Sequence, residues 1–363
     1  MGSGRIYVAS RKGLIEVDHG AAGWQVGRGH LLAEPISAFL RDPRDGHLYA
    51  ALYLGHFGAK LRKSVDGGET WTEMALPAYP AAAEGEDKEK APALVMIWAI
   101  AAGGSDQPGR LWAGTLPGGL FRSDDSGASW QLVESLWNGP DRTKWFGGGY
   151  DQPGIHSILV DPRDSRCLTL AISCGGIWRS NDDGASWRQT GKGLRAAYMP
   201  PEQAYELESQ DVHLLHGCAA APDRLWAQHH NGIFRSDDGG ETFVEVTDAA
   251  PAGFGFAVAA HPRDPETAFF VPGVKDECRI PVDQKLIVSR TRDGGKSFDA
   301  ISAGLPAPSY DLIYRHALAI DEEGKRLAMG STTGNLWVSE DGGESWSLVS
   351  AFLPPIYQVS FAE

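Results

Sequence analysis

Apolar residues fall in short runs of about four to eight positions, alternating with polar ones and broken by Gly, Pro and Asp, which is a strand pattern. RIYVAS and GLIEVD open the chain in this way. Further along, an alternating run often ends at Asp-Pro-Arg-Asp, as in ISAFLRDPRDG and HSILVDPRDS. A second strand follows, such as LYAAL or LWAGT, then a Gly-containing turn and a third strand such as GLFRS or GIWRS. A sharp turn leads into a fourth. Four short strands in a unit of about 50 residues predict one blade of a β-propeller.

The turn before the fourth strand carries the strongest signal. SVDGGETW starts at Ser64, SDDSGASW at Ser123 and SNDDGASW at Ser180, followed by SDDGGETF at Ser236, TRDGGKSF at Thr291 and SEDGGESW at Ser339. The starts are 59, 57, 56, 55 and 48 residues apart, a period that identifies a repeat. The Asp can accept backbone amides of its own turn, as Asx turns do. The Gly permits the tight bend, the leading hydroxyl ties the turn to the preceding strand, and the closing aromatic starts the next strand.

The chain ends hold a seventh unit. RIYVAS, GLIEVD and the strand at Trp24 match strands two, three and four of the other units, without the boxed turn and without an inner strand. PIYQVSFA, from Pro355 to Ala362, matches the inner-strand sequence PISAFLRD from Pro35 to Asp42. The expected fold is therefore all-β: a seven-bladed propeller of four-stranded antiparallel blades, one domain over residues 1–363, closed by the C-terminal strand joining the N-terminal blade. Closure removes free sheet edges.

Composition agrees with this and narrows the partners. Gly at 45 residues and Pro at 22 supply many turns, and 42% hydrophobic residues suffice for a continuous core. A net charge of -14 speaks against nucleic acid or an anionic membrane as partner, although much of the acidity sits in the boxed turns. Cys167, Cys174, Cys218 and Cys278 have no metal-site spacing. The sequence shows neither a signal-peptide pattern nor an apolar run of transmembrane length, so a cytoplasmic, reduced protein is expected.

The six boxes resemble the BNR/Asp-box repeats of sialidases and sortilin-type luminal domains. The chain is similar to the bacterial WD40/YVTN/BNR-like group through GIHSILVDP at 154–162, HHNGIFRSDDGG at 229–240 and the stretch from Lys275 to Arg292. That resemblance implies the propeller and places the boxes at its bottom face. Sialidases also imply an arginine triad, a Tyr/Glu nucleophilic pair and an Asp acid/base on six blades. Here the Arg-Ile-Pro motif, Arg279-Ile280-Pro281, falls between the fourth and fifth boxes, whereas sialidases carry it before the first. The departure argues against sialidase chemistry.

With the boxes at the bottom, loops entering strand one and joining strand two to strand three emerge at the top. These loops carry the candidate chemistry. His156, Asp211 and His213 open inner strands, and His229, His230, Lys275, Arg279 and His56 lie in or beside the two-to-three turns. Tyr150 sits in the long connection GPDRTKWFGGGYDQPG. A charged stretch, PAAAEGEDKEKAP, reads as a flap. His156, Asp211, His213 and His229 form the expected catalytic group, with His230, Lys275, Arg279, His56 and Tyr150 as substrate contacts. Imidazoles beside a carboxylate suit acid/base catalysis, and the same four residues could instead hold a divalent ion such as Zn or Mn. Lys275 and Arg279 suit an anionic group. Two functions follow. One is a hydrolase or lyase acting on a carbohydrate-derived or small anionic substrate. The other is a non-catalytic propeller that recognises a protein, peptide or glycan.

Overall fold

In the computed structural model, residues 4–81 and 91–362 are described. Most of the charged stretch read as a flap lies at 82–90, outside them. Among the described residues the strands form seven four-stranded antiparallel sheets. Six follow chain order, and the seventh joins Ile356–Phe361 to Arg5–Ser10, Gly13–Gly20 and Gly23–His30. In that closing pair Ile6 stands opposite Phe361, Val8 opposite Val359 and Ser10 opposite Ile356. The protein is thus a seven-bladed propeller whose C-terminal strand closes the ring. Among the described residues, no helix is long and apolar enough to cross a membrane.

The chain divides into two compact units, residues 1–36 with 189–363 and residues 37–188. The first holds the closing blade and the three last boxed blades. Its core includes Val8, Val17, Phe269, Leu327, Trp337 and Ile356, and a second layer packs Leu214, Trp226, Ile233, Val258 and Phe270. The second unit holds the first three boxed blades, with Trp112, Leu170 and Trp178 in one cluster and Leu61, Ile97 and Phe121 in another. Trp112, Trp226 and Trp337 each follow a Leu in the second or third strand of their blades and are fully buried.

All six boxes close in one way. In the first, the Ser64 hydroxyl donates to Asp66 Oδ1 at 2.8 Å and accepts the Gly68 amide at 2.8 Å. Asp66 then accepts the Thr70 amide at 2.9 Å and the Thr70 hydroxyl at 2.6 Å. The pattern recurs around Asp125, Asp182, Asp238, Asp293 and Asp341. Gly68 has φ 94°, a left-handed conformation that a side chain disfavours. The hydroxyl before each aromatic, Thr70 in the first box, is an integral member that the spacing of Ser, Asp and Gly did not announce.

A bulge recurs near the start of the inner strands. Ile97 pairs with Thr115 and Ala99 with Gly114, which leaves Trp98 as the extra residue. His156 is extra between Ile155 and Ser157, and His213 between Val212 and Leu214. Between Gly255 and Val258, Phe256 and Ala257 stand against the single residue Val271. A bulge re-aims the extra side chain and increases local twist. In the 37–188 unit the Trp98 and His156 rings meet edge-to-face at 5.4 Å. In the other unit, His213 stacks flat on Phe256 at 4.4 Å and 11°.

Candidate functional site

In the unit formed by 1–36 and 189–363, one end of a blade gathers a group that combines burial, charge and convergence. Asp211 precedes the inner strand Val212–Cys218, which carries His213, and His230 follows the second strand, Ala221–His229. Because successive strands run in opposite directions, these positions share one end of the blade. The boxed turn around Asp238 lies at the other. Asp211 Oδ2 is 3.5 Å from His213 Nε2 and 3.4 Å from His230 Nδ1. The His230 amide donates to the Asp211 carbonyl at 2.9 Å, fixing the turn against the strand entry.

Asp211 and His213 are buried, and His230 is partly exposed. Burial alone would raise the Asp211 pKa, but contact with His213 and His230 and the charge of Arg315 hold its carboxyl well below the ordinary range. Burial pushes His213 below the usual histidine value in spite of Asp211. His230 moves up, chiefly through its interaction with Asp211. The charges of Asp276 and Arg279 also reach it, in opposite directions.

Aromatic rings wall this group. Phe256 covers His213, and Phe254 meets both His213 and His230 edge-on at 6.0 and 6.1 Å. Tyr198 meets His230 at 4.9 Å, while its hydroxyl donates to the Ser209 carbonyl at 2.5 Å. Tyr314 packs edge-on against Phe256 at 5.4 Å. The guanidinium groups of Arg279 and Arg315 lie 5.2 and 5.5 Å from the Phe256 ring centre.

The expected site residues are thus partly assembled. Asp211, His213 and His230 form the cluster. His229 is buried beside it but outside it: its Nδ1 accepts the Asn231 amide at 3.1 Å, and burial drives its pKa to about 3. Arg279 reaches the wall but already holds Asp276, with Nη2 2.5 Å from Oδ1. Lys275 is exposed and pairs with Glu277 at 3.5 Å. His156, Tyr150 and His56 belong to the 37–188 unit. There the buried His156 contacts Ser157 Oγ through Nδ1 at 3.0 Å, Tyr150 packs edge-on against Trp98 at 5.1 Å, and His56 lies against Phe57 at 3.9 Å. Phe254, Phe256 and Arg315 were not anticipated. The available signal was positional, since Phe256 follows the same loop-to-strand entry as His213 one blade later.

Asp211, His213 and His230 are a set of ligand-bearing side chains able to coordinate a divalent metal. The fold and cluster define a seven-bladed propeller with an aromatic-walled carboxylate–imidazole centre. No protein-family model matches the chain. Among curated proteins it is similar to a "Probable oligoxyloglucan-reducing end-specific xyloglucanase" of Neosartorya fischeri, with 22% identity over 341 residues, 86% of this chain. The chain spans only 38% of that relative's length. Among solved structures it is similar to the GH74 xyloglucanase from Xanthomonas campestris, with TM-score 0.65 and 18% identity over 100% of this chain and 53% of that one. It also matches YCF48 bound to D1 peptide, with TM-score 0.55 and 16% identity over 87% of this chain and 82% of that one. At these identities the structural likenesses establish the propeller fold and nothing further.

Proposed function

We propose that the chain is a carbohydrate-active hydrolase that takes a glycan at the Asp211–His213–His230 cluster. The observation that carries this reading is the cluster's setting, with a buried carboxylate and two imidazoles walled by Phe254, Phe256, Tyr198 and Tyr314. Small-ligand sites characteristically combine apolar and aromatic walls with a few convergent polar groups. Aromatic rings suit the C–H faces of sugars, while the polar floor can orient hydroxyls. Carboxylate and imidazole are also groups that move protons near neutral pH. The xyloglucanase similarity across most of the chain supports the same substrate class. Arg279 sits at the rim, where an anionic substituent would have to compete with Asp276 for it.

Incubation with xyloglucan, its oligosaccharides and other plant and bacterial glycans, read as released reducing ends, tests the proposal. Asp211→Asn should lower kcat/KM at least about 100-fold, as loss of a central polar group does, with circular dichroism showing that the variant still folds. A wild-type protein that neither cleaves nor binds any glycan overturns it. The likeness to YCF48 bound to D1 peptide favours a second reading, a peptide-binding assembly propeller. A protein that ignores every glycan but binds a defined peptide with micromolar affinity belongs there.

A further inference from the structure

We infer that Asp211, His213 and His230 bind one divalent transition-metal ion of the Zn²⁺ or Mn²⁺ type, with coordination positions left for water or substrate. The inference rests on reading this cluster as the reacting centre, and it is independent of which substrate comes there.

Distance is the first support. Asp211 Oδ2 lies 3.5 Å from His213 Nε2 and 3.4 Å from His230 Nδ1, and the three ligand atoms lie within 4.8 Å of one another. Charge-assisted N–H···O contacts normally close to about 2.7–2.9 Å. Ligand atoms around a tetrahedral ion with bonds of about 2.0–2.2 Å stand about 3.3–3.5 Å apart. Both contacts to the carboxylate have the second spacing.

The tautomer of His213 is the second support. Its Nδ1 is 2.7 Å from the Gly255 carbonyl, which can only accept, so Nδ1 carries the proton. Its other ring nitrogen, Nε2, faces the Asp211 carboxylate oxygen. A ligating histidine that donates its other ring N–H to a backbone carbonyl is a common outer-shell arrangement at metal sites.

Preorganisation is the third. Phe256 stacks on His213, Tyr198 and Phe254 flank His230, and the His230 amide holds the Asp211 carbonyl. The two histidines and one carboxylate come from a strand entry and the adjoining turn of a single blade, so assembly of the set requires no loop closure. Nitrogen and oxygen ligands of this mix suit Zn²⁺, Mn²⁺ or Fe²⁺ better than Ca²⁺, which prefers oxygen alone. Three protein ligands leave room for a water whose proton the ion would make easier to remove.

The test is elemental analysis of protein purified without chelator, followed by titration of chelator-stripped protein with Zn²⁺ or Mn²⁺ and a calorimetric readout. Wild type should saturate at about one equivalent. Asp211→Asn, which keeps the side chain's shape, should weaken binding at least about 100-fold, and His230→Ala, at a partly exposed turn, at least about tenfold. Circular dichroism of the stripped variants should match stripped wild type, which separates ligand loss from misfolding. Wild type that carries no metal and takes up none at millimolar Zn²⁺ or Mn²⁺ overturns the inference, as does unchanged stoichiometry and affinity in both variants. Glycan binding measured in chelator keeps the two ideas apart. Binding that survives with no metal uptake defeats the ion and spares the glycan site, and one equivalent of metal with no glycan recognition does the reverse.

Discussion

Ser64 is buried at the centre of the first boxed turn, giving one hydrogen bond and accepting another. Ser64→Ala strands the Gly68 amide and is expected to cost roughly 1–3 kcal/mol, the penalty of an unmet buried donor. Chemical denaturation would read it, and metal or glycan affinity of the folded fraction should not change. The box carboxylates have their own signature. Bonds from Thr70 hold Asp66 at about 2, and bonds from Ser297 hold Asp293 at about 2. A carboxylate depressed in the folded state contributes fully above its unfolded pKa and loses that contribution as pH falls through its folded pKa. The boxes should therefore add an acid-labile component between about pH 4 and pH 2. Asp66→Asn retains an acceptor without titrating, so it should flatten the acid-unfolding curve in that window. An unchanged acid midpoint and slope would defeat this assignment.

At the level of the strand, the inner-strand bulges explain what the sequence disclosed and what it withheld. The boxes were legible because their chemistry is local: each Asp bonds groups within four residues, so a fixed string reports a fixed structure. Asp211, His213 and His230 were legible as candidates because entries and turns at one end of a blade can be counted from the repeat. The Phe256 stack was not, because a one-residue bulge offsets the strict alternation on which strand reading depends. Arg315 lies in an irregular connection just before the short strand Leu318–Ile320, where the repeat offers no register. The bulge partners can be separated from bulk packing. Phe256→Leu keeps an apolar filler and should cost less than the roughly 3–5 kcal/mol of a truncation to Ala. It removes the flat cover over His213, so metal affinity should fall about tenfold. Equal losses in both measurements would make Phe256 a packing residue only. Trp226→Ala, deep in the same unit, is the contrasting case, with an expected cost of about 3–5 kcal/mol from the cavity it leaves.

For the whole molecule, the blade shared by the two ends of the described chain decides cooperativity. Ile356 and Val359 are buried in the same cluster as Val8 and Val17, so the closing strand seals a core as well as a sheet edge. Ending the chain before Pro355 should expose that cluster and give insoluble protein, or a large fall in melting temperature. An unaltered melting temperature would contradict the closure. The seam has a further use. The Ala362 amide bonds the Arg5 carbonyl at 3.0 Å, and Phe361 stands opposite Ile6, so a short Gly-rich bridge could join the two ends there. New ends could then be opened between His30 and Ile36, where one blade finishes and the next begins. In such a circular permutant all seven blades would be uninterrupted hairpin runs, and the joint between the most distant parts of the polypeptide would become its most local contact. That strand pairing would then form without long-range loop closure, while the cluster around Asp211 stays as it is.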